Sequence, residues 1–268
     1  AGPLPTCLLG DRCTLELPAS HRPTALHALA RMLSACVVGR LRDNRLSDAD
    51  VAVLAMPMAA PDYGLVSLDL RGNALSAIGG RALGTALRLN GTLAELRIDS
   101  DFALPIFPLK GIALRASRSA QQTGQQTGAP PTVLNLSVQG LGVASVAIIS
   151  ALVAHNTCLL DLSLTGNWRI GAEGGALMAE CLESNRTLRT LDMYGCKLGD
   201  EGVRSMLRAL ATMPARSTLR SLELAENGTS AAVEAELAAA LEHHLRAVDG
   251  ANKALTPTGL RRSQGAPK

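Results

Sequence analysis

The chain has 268 residues, 47% of them hydrophobic but only 2% aromatic, so it is large enough to bury a continuous core and must build that core from aliphatic side chains. Twenty-six basic against 23 acidic side chains leave a net charge of +3, too balanced to argue for a nucleic-acid partner by field alone. No run of basic residues interleaved with aromatics offers a base-stacking surface.

In chain order, residues 1–35 predict an atypical first unit: Thr14-Leu15-Glu16-Leu17 alternates like a strand, and Thr24 to Leu33 has the spacing of an amphipathic helix. From 36 to 230 one frame recurs. A first copy holds Leu41, Asn44 and Leu46, and the clearest follows with Leu65, Leu68, Leu70 and Leu75 around Asn73. The frame restarts at Leu93, 28 residues after Leu65, and runs through Leu96, Ile98 and Asp101. Later copies hold Leu134, Leu136, Gln139 and Leu141; Leu159, Leu162, Leu164 and Asn167; Leu188, Leu191, Met193 and Cys196; and Leu219, Leu222, Leu224 and Asn227. These match L-x-x-L-x-L-x-x-N/C-x-L, the signature of leucine-rich repeats, about seven times.

One interval breaks the period. Leu96 and the equivalent Leu134 lie 38 residues apart, which predicts an inserted loop at about 102–131. Its Gln121 to Pro131 stretch has no large apolar side chain and reads as a surface loop, while Phe102, Leu104, Ile106, Phe107 and Leu109 are expected to pack beneath an irregular copy. Residues 231–249 predict a capping helix with Val233, Leu237, Leu241 and Leu245 on one face, and 250–268 a flexible basic tail carrying Lys253, Arg261, Arg262 and Lys268.

Each copy changes period midway. Leu68 and Leu70 alternate with Asp69 and Arg71 as in a half-buried strand, after which Ile78, Leu83 and Leu87 recur at helical spacings. Repetition of strand then helix predicts an α/β solenoid, a horseshoe with a parallel concave β-sheet and convex helices. Asn44, Asn73, Asn167, Cys196 and Asn227 form its expected structural ladder, bonding backbone groups in the turn that leaves each strand. The glycine pairs Gly79-Gly80 and Gly174-Gly175 read as tight strand-to-helix turns. Leu141 to Ala154 is apolar throughout but shorter than the roughly 20 residues a bilayer requires, and reads as a buried helix.

No catalytic constellation emerges: there is no G-x-x-x-x-G-K loop, G-x-S-x-G elbow or H-E-x-x-H motif. The five histidines show no ligand spacing, so neither metal nor cofactor is expected. Six cysteines scattered over a large fold favour packing in a cytoplasmic or other reducing intracellular compartment, with a cytoskeletal, flagellar or organellar assembly as the alternative. The N-x-Ser/Thr matches at Asn90, Asn135, Asn185 and Asn227 read as products of the repeat. A start at Ala1 without methionine reads as a processed or excised piece.

Copies near 28 residues, a full helix in each, and the closing N-x-T-L at Asn90 to Leu93 and Asn185 to Leu188 resemble the ribonuclease-inhibitor-like class of leucine-rich repeats over residues 36–245. That class includes ribonuclease inhibitor, the sensor regions of NOD-like receptors, tropomodulin-type cytoskeletal proteins and the activator of the Ran GTPase. The resemblance implies a binding surface and no shared chemistry. The expected partner-binding concave face comprises Arg40, Arg42, Asp69, Arg71, Arg97, Asp99, Asp161, Asp192, Tyr194, Glu223 and Glu226, basic at one end and acidic at the other. Such columns are either an exposed ladder of ion pairs worth about 0–1 kcal/mol each or a bipolar groove matched to a partner. The expected function is a scaffold or adaptor that binds a protein partner, within a larger assembly. The alternative is a GTPase activator of the Ran-activating type, using Arg40, Arg42, Arg71 and Arg97.

Overall fold

The computed structural model describes residues 7–8, 22–60, 63–111, 129–213 and 218–249. The strand expected at 14–17, residues 112–128 of the inserted loop and the tail 250–268 lie outside these residues. Strands and helices alternate: β1 (Cys7–Leu8), α1 (Arg22–Ser34), β2 (Val38–Arg40), α2 (Asp48–Met58), β3 (Ser67–Asp69), α3 (Ala77–Leu89), β4 (Glu95–Arg97), β5 (Leu104–Pro105) and α4 (Ile106–Leu109). The second half holds β6 (Val133–Asn135), α5 (Val143–Val153), β7 (Asp161–Ser163), α6 (Gly171–Ser184), β8 (Thr190–Asp192), α7 (Gly199–Thr212), β9 (Ser221–Glu223) and α8 (Ala231–Asp249).

Each repeat strand, β2 to β4 and β6 to β9, is three residues long because its middle residue alone is driven inward. Leu68, Leu96, Leu162, Leu191 and Leu222 are buried, their neighbours on either side face outward, and the parallel register stacks leucine on leucine, as in Leu68 on Leu96. The residue before each ladder position turns the chain with a left-handed backbone: Asp43, Gly72, Val138, Gly166, Gly195 and Glu226 all have φ between 56° and 72°. The helices then return on the convex side with their aliphatic faces inward, among them Leu83 and Leu87 of α3 and Val203, Met206 and Leu210 of α7. In α8, Val233 is buried at the end of the stack while Glu234, Glu236 and Glu242 face solvent.

The sheet is not continuous. β1 to β5 form one sheet and β6 to β9 another, because β5 turns back antiparallel on β4 and occupies its outer edge. The helical layer nevertheless crosses the break: α3 packs directly on α5, an approach that only glycine allows. A Cβ at Gly80 would lie 2.4 Å from the Ala144 carbonyl oxygen, and one at Gly84 2.6 Å from Ala151 Cβ. These glycines are therefore helix-packing residues within α3, not turn residues; Gly175 of α6 likewise meets the backbone of Gly202 in α7. Wedged between α3 and α6, α5 is buried on nearly every side, which accounts for its apolar sequence. No helix among the described residues is long and apolar enough to cross a membrane.

The inserted stretch contributes one described turn of helix, α4. Ile106, Phe107 and Leu109 are buried in the core, and Phe102 packs against it. Asn156, at the end of α5, donates from Nδ2 to the carbonyls of Pro108 and Leu109, satisfying that turn's carbonyls from the next unit. Cys36 is disulfide-bonded, which runs against reading all the cysteines as reduced packing residues. Cys158, Cys181 and Cys196 are free thiols.

Candidate functional site

Three outward columns cross the concave sheets, one for each position flanking or following the buried leucine. The central column runs Arg40, Asp69, Arg97, Asn135, Ser163, Asp192, Glu223 in the strand register. Arg42, Arg71, Asp99, Ser137, Thr165, Tyr194 and Ala225 follow two residues later in each unit. The third column, Val38, Ser67, Glu95, Val133, Asp161, Thr190 and Ser221, contributed only Asp161 to the expected site. It precedes the leucines that define the repeat, and its signal was the two-residue alternation extended one step back.

In the first sheet most of the outward charges are spent within the molecule. Arg71 forks onto Asp69, with Nε donating to Oδ1 at 2.9 Å and Nη2 to Oδ2 at 2.5 Å, and its other terminal nitrogen pairs with Asp101. Burial alone would raise the Asp69 carboxyl pKa, but hydrogen bonds from Arg71 outweigh it and hold the group below the ordinary range. Arg97 reaches Glu95 at 3.6 Å and donates to the Asp101 carbonyl. Arg42 pairs with Asp43, and Arg40 is exposed. Asp99 caps a helix: its Oδ2 accepts from the amides of Gly142 and Ser145, each at 2.9 Å, fastening the start of α5 to the first sheet. Arg71 and Arg97 thus already have acidic partners and Asp99 a structural one, while Arg40 forms no salt bridge among the described residues.

The second sheet differs. Asp192 accepts from the Tyr194 amide at 3.0 Å, and Glu223 from the Ala225 amide at 2.9 Å, bonds that finish each strand. Asn135 does the same for Ser137 at 2.9 Å without a charge. Among the described residues no cation forms a salt bridge with Asp161, Asp192 or Glu223. Tyr194 is exposed beside them. Glu226 lies beyond its strand, in the left-handed turn, and is off the columns. The face is bordered by exposed Val138 and Trp168, with Lys197 Nζ 5.2 Å from the centre of the Trp168 ring. The repeat frame assigns these residues no role, so the sequence had not marked them.

The ladder residues are structural in detail. Asn73 Oδ1 accepts from the Asn44 and Leu46 amides, and its Nδ2 donates to the Leu41 and Leu70 carbonyls. Asn167 and Asn227 repeat this on their preceding units, and Cys196 donates its thiol to the Leu164 carbonyl. Asn44 Nδ2 donates to the Arg42 carbonyl. A second ladder was missed: Asn90, Asn156 and Asn185, at the helix C-termini, accept from the amides two and three residues on and donate to the preceding unit. Its signal was the N-x-T-L at Asn90 and Asn185, with Cys158 in place of the threonine after Asn156.

This geometry, stacked coils closed by an asparagine ladder, defines a leucine-rich-repeat protein, and the Leucine Rich repeat family model matches residues 65–84, 155–179 and 184–207. Its sequence is similar to proteins of the ribonuclease-inhibitor-like class. It is 26% identical over 228 residues to the ribonuclease inhibitor of Sus scrofa, covering 83% of this chain and 46% of that protein. It is 29% identical over 145 residues to the NACHT, LRR and PYD domains-containing protein 12 of Homo sapiens, covering 52% of this chain and 12% of that one. The chain thus spans less than half the length of these curated relatives. A solved structure of the leiomodin-1 actin-binding site 2 is similar at 10% identity and TM-score 0.30, covering 88% of this chain and 95% of that one, a likeness too loose to argue from.

Proposed function

We propose that the chain is a non-catalytic scaffold that holds a protein partner on the concave face of β6 to β9, as a subunit of a larger assembly. The observation that carries this reading is the contrast between the two sheets: most outward charges of the first, Arg40 excepted, are paired internally, whereas the second presents Asp161, Asp192, Glu223 and Tyr194 with no salt bridge among the described residues. An exposed aromatic set among charges is the usual composition of an interface anchor. The Ran-type activator would need free arginines, and of its four candidates Arg42, Arg71 and Arg97 are in ion pairs, which leaves Arg40 alone without a salt bridge among the described residues. Native pull-down with the tagged chain tests the scaffold. The wild type should retain a defined partner set, Tyr194→Ala should lose it, and Arg97→Ala should keep it. A wild type that retains nothing, or a Tyr194→Ala variant that retains everything, overturns the proposal.

A further inference from the structure

The second sheet carries an unpartnered outward face whose apolar residues gather at one lip. Val138, Tyr194 and Trp168 are 73%, 43% and 58% exposed. Val138 borders two positions without side chains, Gly166 and Gly195, which stack on one another: a Cβ at Gly166 would lie 3.0 Å from Val138 Cγ2, and one at Gly195 3.9 Å from Gly166 Cα; Tyr194 precedes Gly195 in the chain, and Trp168 follows Gly166 by two residues. The result is a shallow apolar saddle at the strand ends, open to solvent and continuous with the three columns of β6 to β9.

Charge decides what fits there. No basic residue occupies any of the three columns across β6 to β9, while Asp161, Asp192 and Glu223 do. Asp192 and Glu223 are direct register partners on adjacent strands, about 4.8 Å apart, and like charges so opposed are destabilising. The backbone does not require that charge, since Asn135 finishes its own strand with a neutral amide. Lys197, at the lip, stacks over Trp168, and the exposed Arg189 and Arg220 lie one residue before the third column. A face that keeps an unfavourable pair of carboxylates, on a chain whose net charge is +3, is complementary to a cationic ligand.

We infer that the occupant of this face is a basic segment of the partner protein, arginine or lysine side chains lying over Asp161, Asp192 and Glu223 and apolar side chains seated in the saddle between Val138, Tyr194 and Trp168. This inference rests on the scaffold reading and adds the chemistry of the ligand. Arginine can stack on the exposed rings as well as pair with carboxylates, so one side-chain type satisfies both parts of the surface.

Trp168 is the chain's single tryptophan and reports on the saddle directly. Its fluorescence is followed while a ten-residue alternating arginine–valine peptide is titrated in, alongside a glutamate–valine and an arginine–glycine peptide. The arginine–valine peptide should perturb the emission and bind at least tenfold more tightly than either control, with affinity falling as salt rises. An Asp192→Asn/Glu223→Gln variant keeps acceptors for the Tyr194 and Ala225 amides and loses the like-charge pair, so its melting temperature should hold or rise while its affinity falls about tenfold. Equal binding of the arginine–valine and glutamate–valine peptides, or undiminished binding by the variant, overturns the inference. If the peptides fail in this way but Tyr194→Ala still strips partners in the pull-down, the basic-ligand chemistry falls and the scaffold reading stands. If Tyr194→Ala strips nothing, the scaffold reading falls with it.

Discussion

Replacing Asn167 by alanine tests whether the ladder carries stability. Asn167 is fully buried, and its carboxamide makes four bonds: Oδ1 accepts from the amides of Gln139 at 3.0 Å and Leu141 at 3.1 Å, and Nδ2 donates to the carbonyls of Leu136 at 2.9 Å and Leu164 at 2.6 Å. Alanine leaves two amide donors without that acceptor, at about 1–3 kcal/mol each. The carbonyls lose one donor but retain other lone-pair capacity. The expected loss is about 4 kcal/mol, falling towards about 2 if a water enters the vacated space and bonds the amides. In a chain of this size that lowers the melting temperature by roughly 10 °C. Gln139→Ala is the matched control, because its side chain donates only to the Ser137 carbonyl, and it should cost about 1 kcal/mol or less. Urea unfolding followed by circular dichroism measures both. A loss for Asn167→Ala no greater than the control's would refute the view that the side chain replaces bonds the next coil cannot supply.

Gly84→Ala should destabilise the chain by about 1–2 kcal/mol, since the strain of a methyl 2.6 Å from Ala151 Cβ outweighs the up to about 1 kcal/mol gained in helix propensity. A double-mutant cycle with Ala151→Gly should recover at least about 1 kcal/mol, and zero coupling would show that α3 and α5 do not meet there. Asp48 ties α3 to α2 by accepting from the Ser76 amide and hydroxyl and the Gly79 amide. Burial pulls its pKa upward, but these bonds win and hold it below the ordinary 3.8. A depressed folded value means stability that is present above the unfolded pKa and lost as pH falls through the folded one. Asp48→Asn should therefore be less stable than wild type at pH 7, with the gap closing near pH 3; a gap independent of pH would contradict the assignment. Among the free thiols, burial pushes Cys181 up to about 12 and Cys196 up to about 11. Under native conditions iodoacetamide should alkylate the partly exposed Cys158 well before either, as read by peptide mass mapping, and faster labelling of Cys181 would show that α6 opens locally.

The fold was legible because its signals are local and repeated. A leucine at every second residue, then at every third or fourth, can be buried only by a strand followed by a helix, and the 28-residue step fixes how units stack. The concave columns followed from the same alternation, since residues beside an inward leucine must point outward. What those residues do there did not follow. Arg71 and Asp101 are 30 residues apart and pair because adjacent coils bring them together, and Asp99 became a helix cap rather than a surface acid because α5 begins beside it. Glycine pairs that suggest turns in sequence proved to be contact points between helices.

By itself, then, the sequence determined the unit, its period and its inward residues, because burying aliphatic side chains is a requirement each copy meets locally. Only the tertiary structure decided that the strands part after β5 while the helices stay packed. It also decided which charges are spent in holding the coils together and which remain on the second sheet. Those outcomes depend on how closely neighbouring backbones approach, through Gly80 and Gly84 against the small residues of α5, and no single repeat encodes that distance.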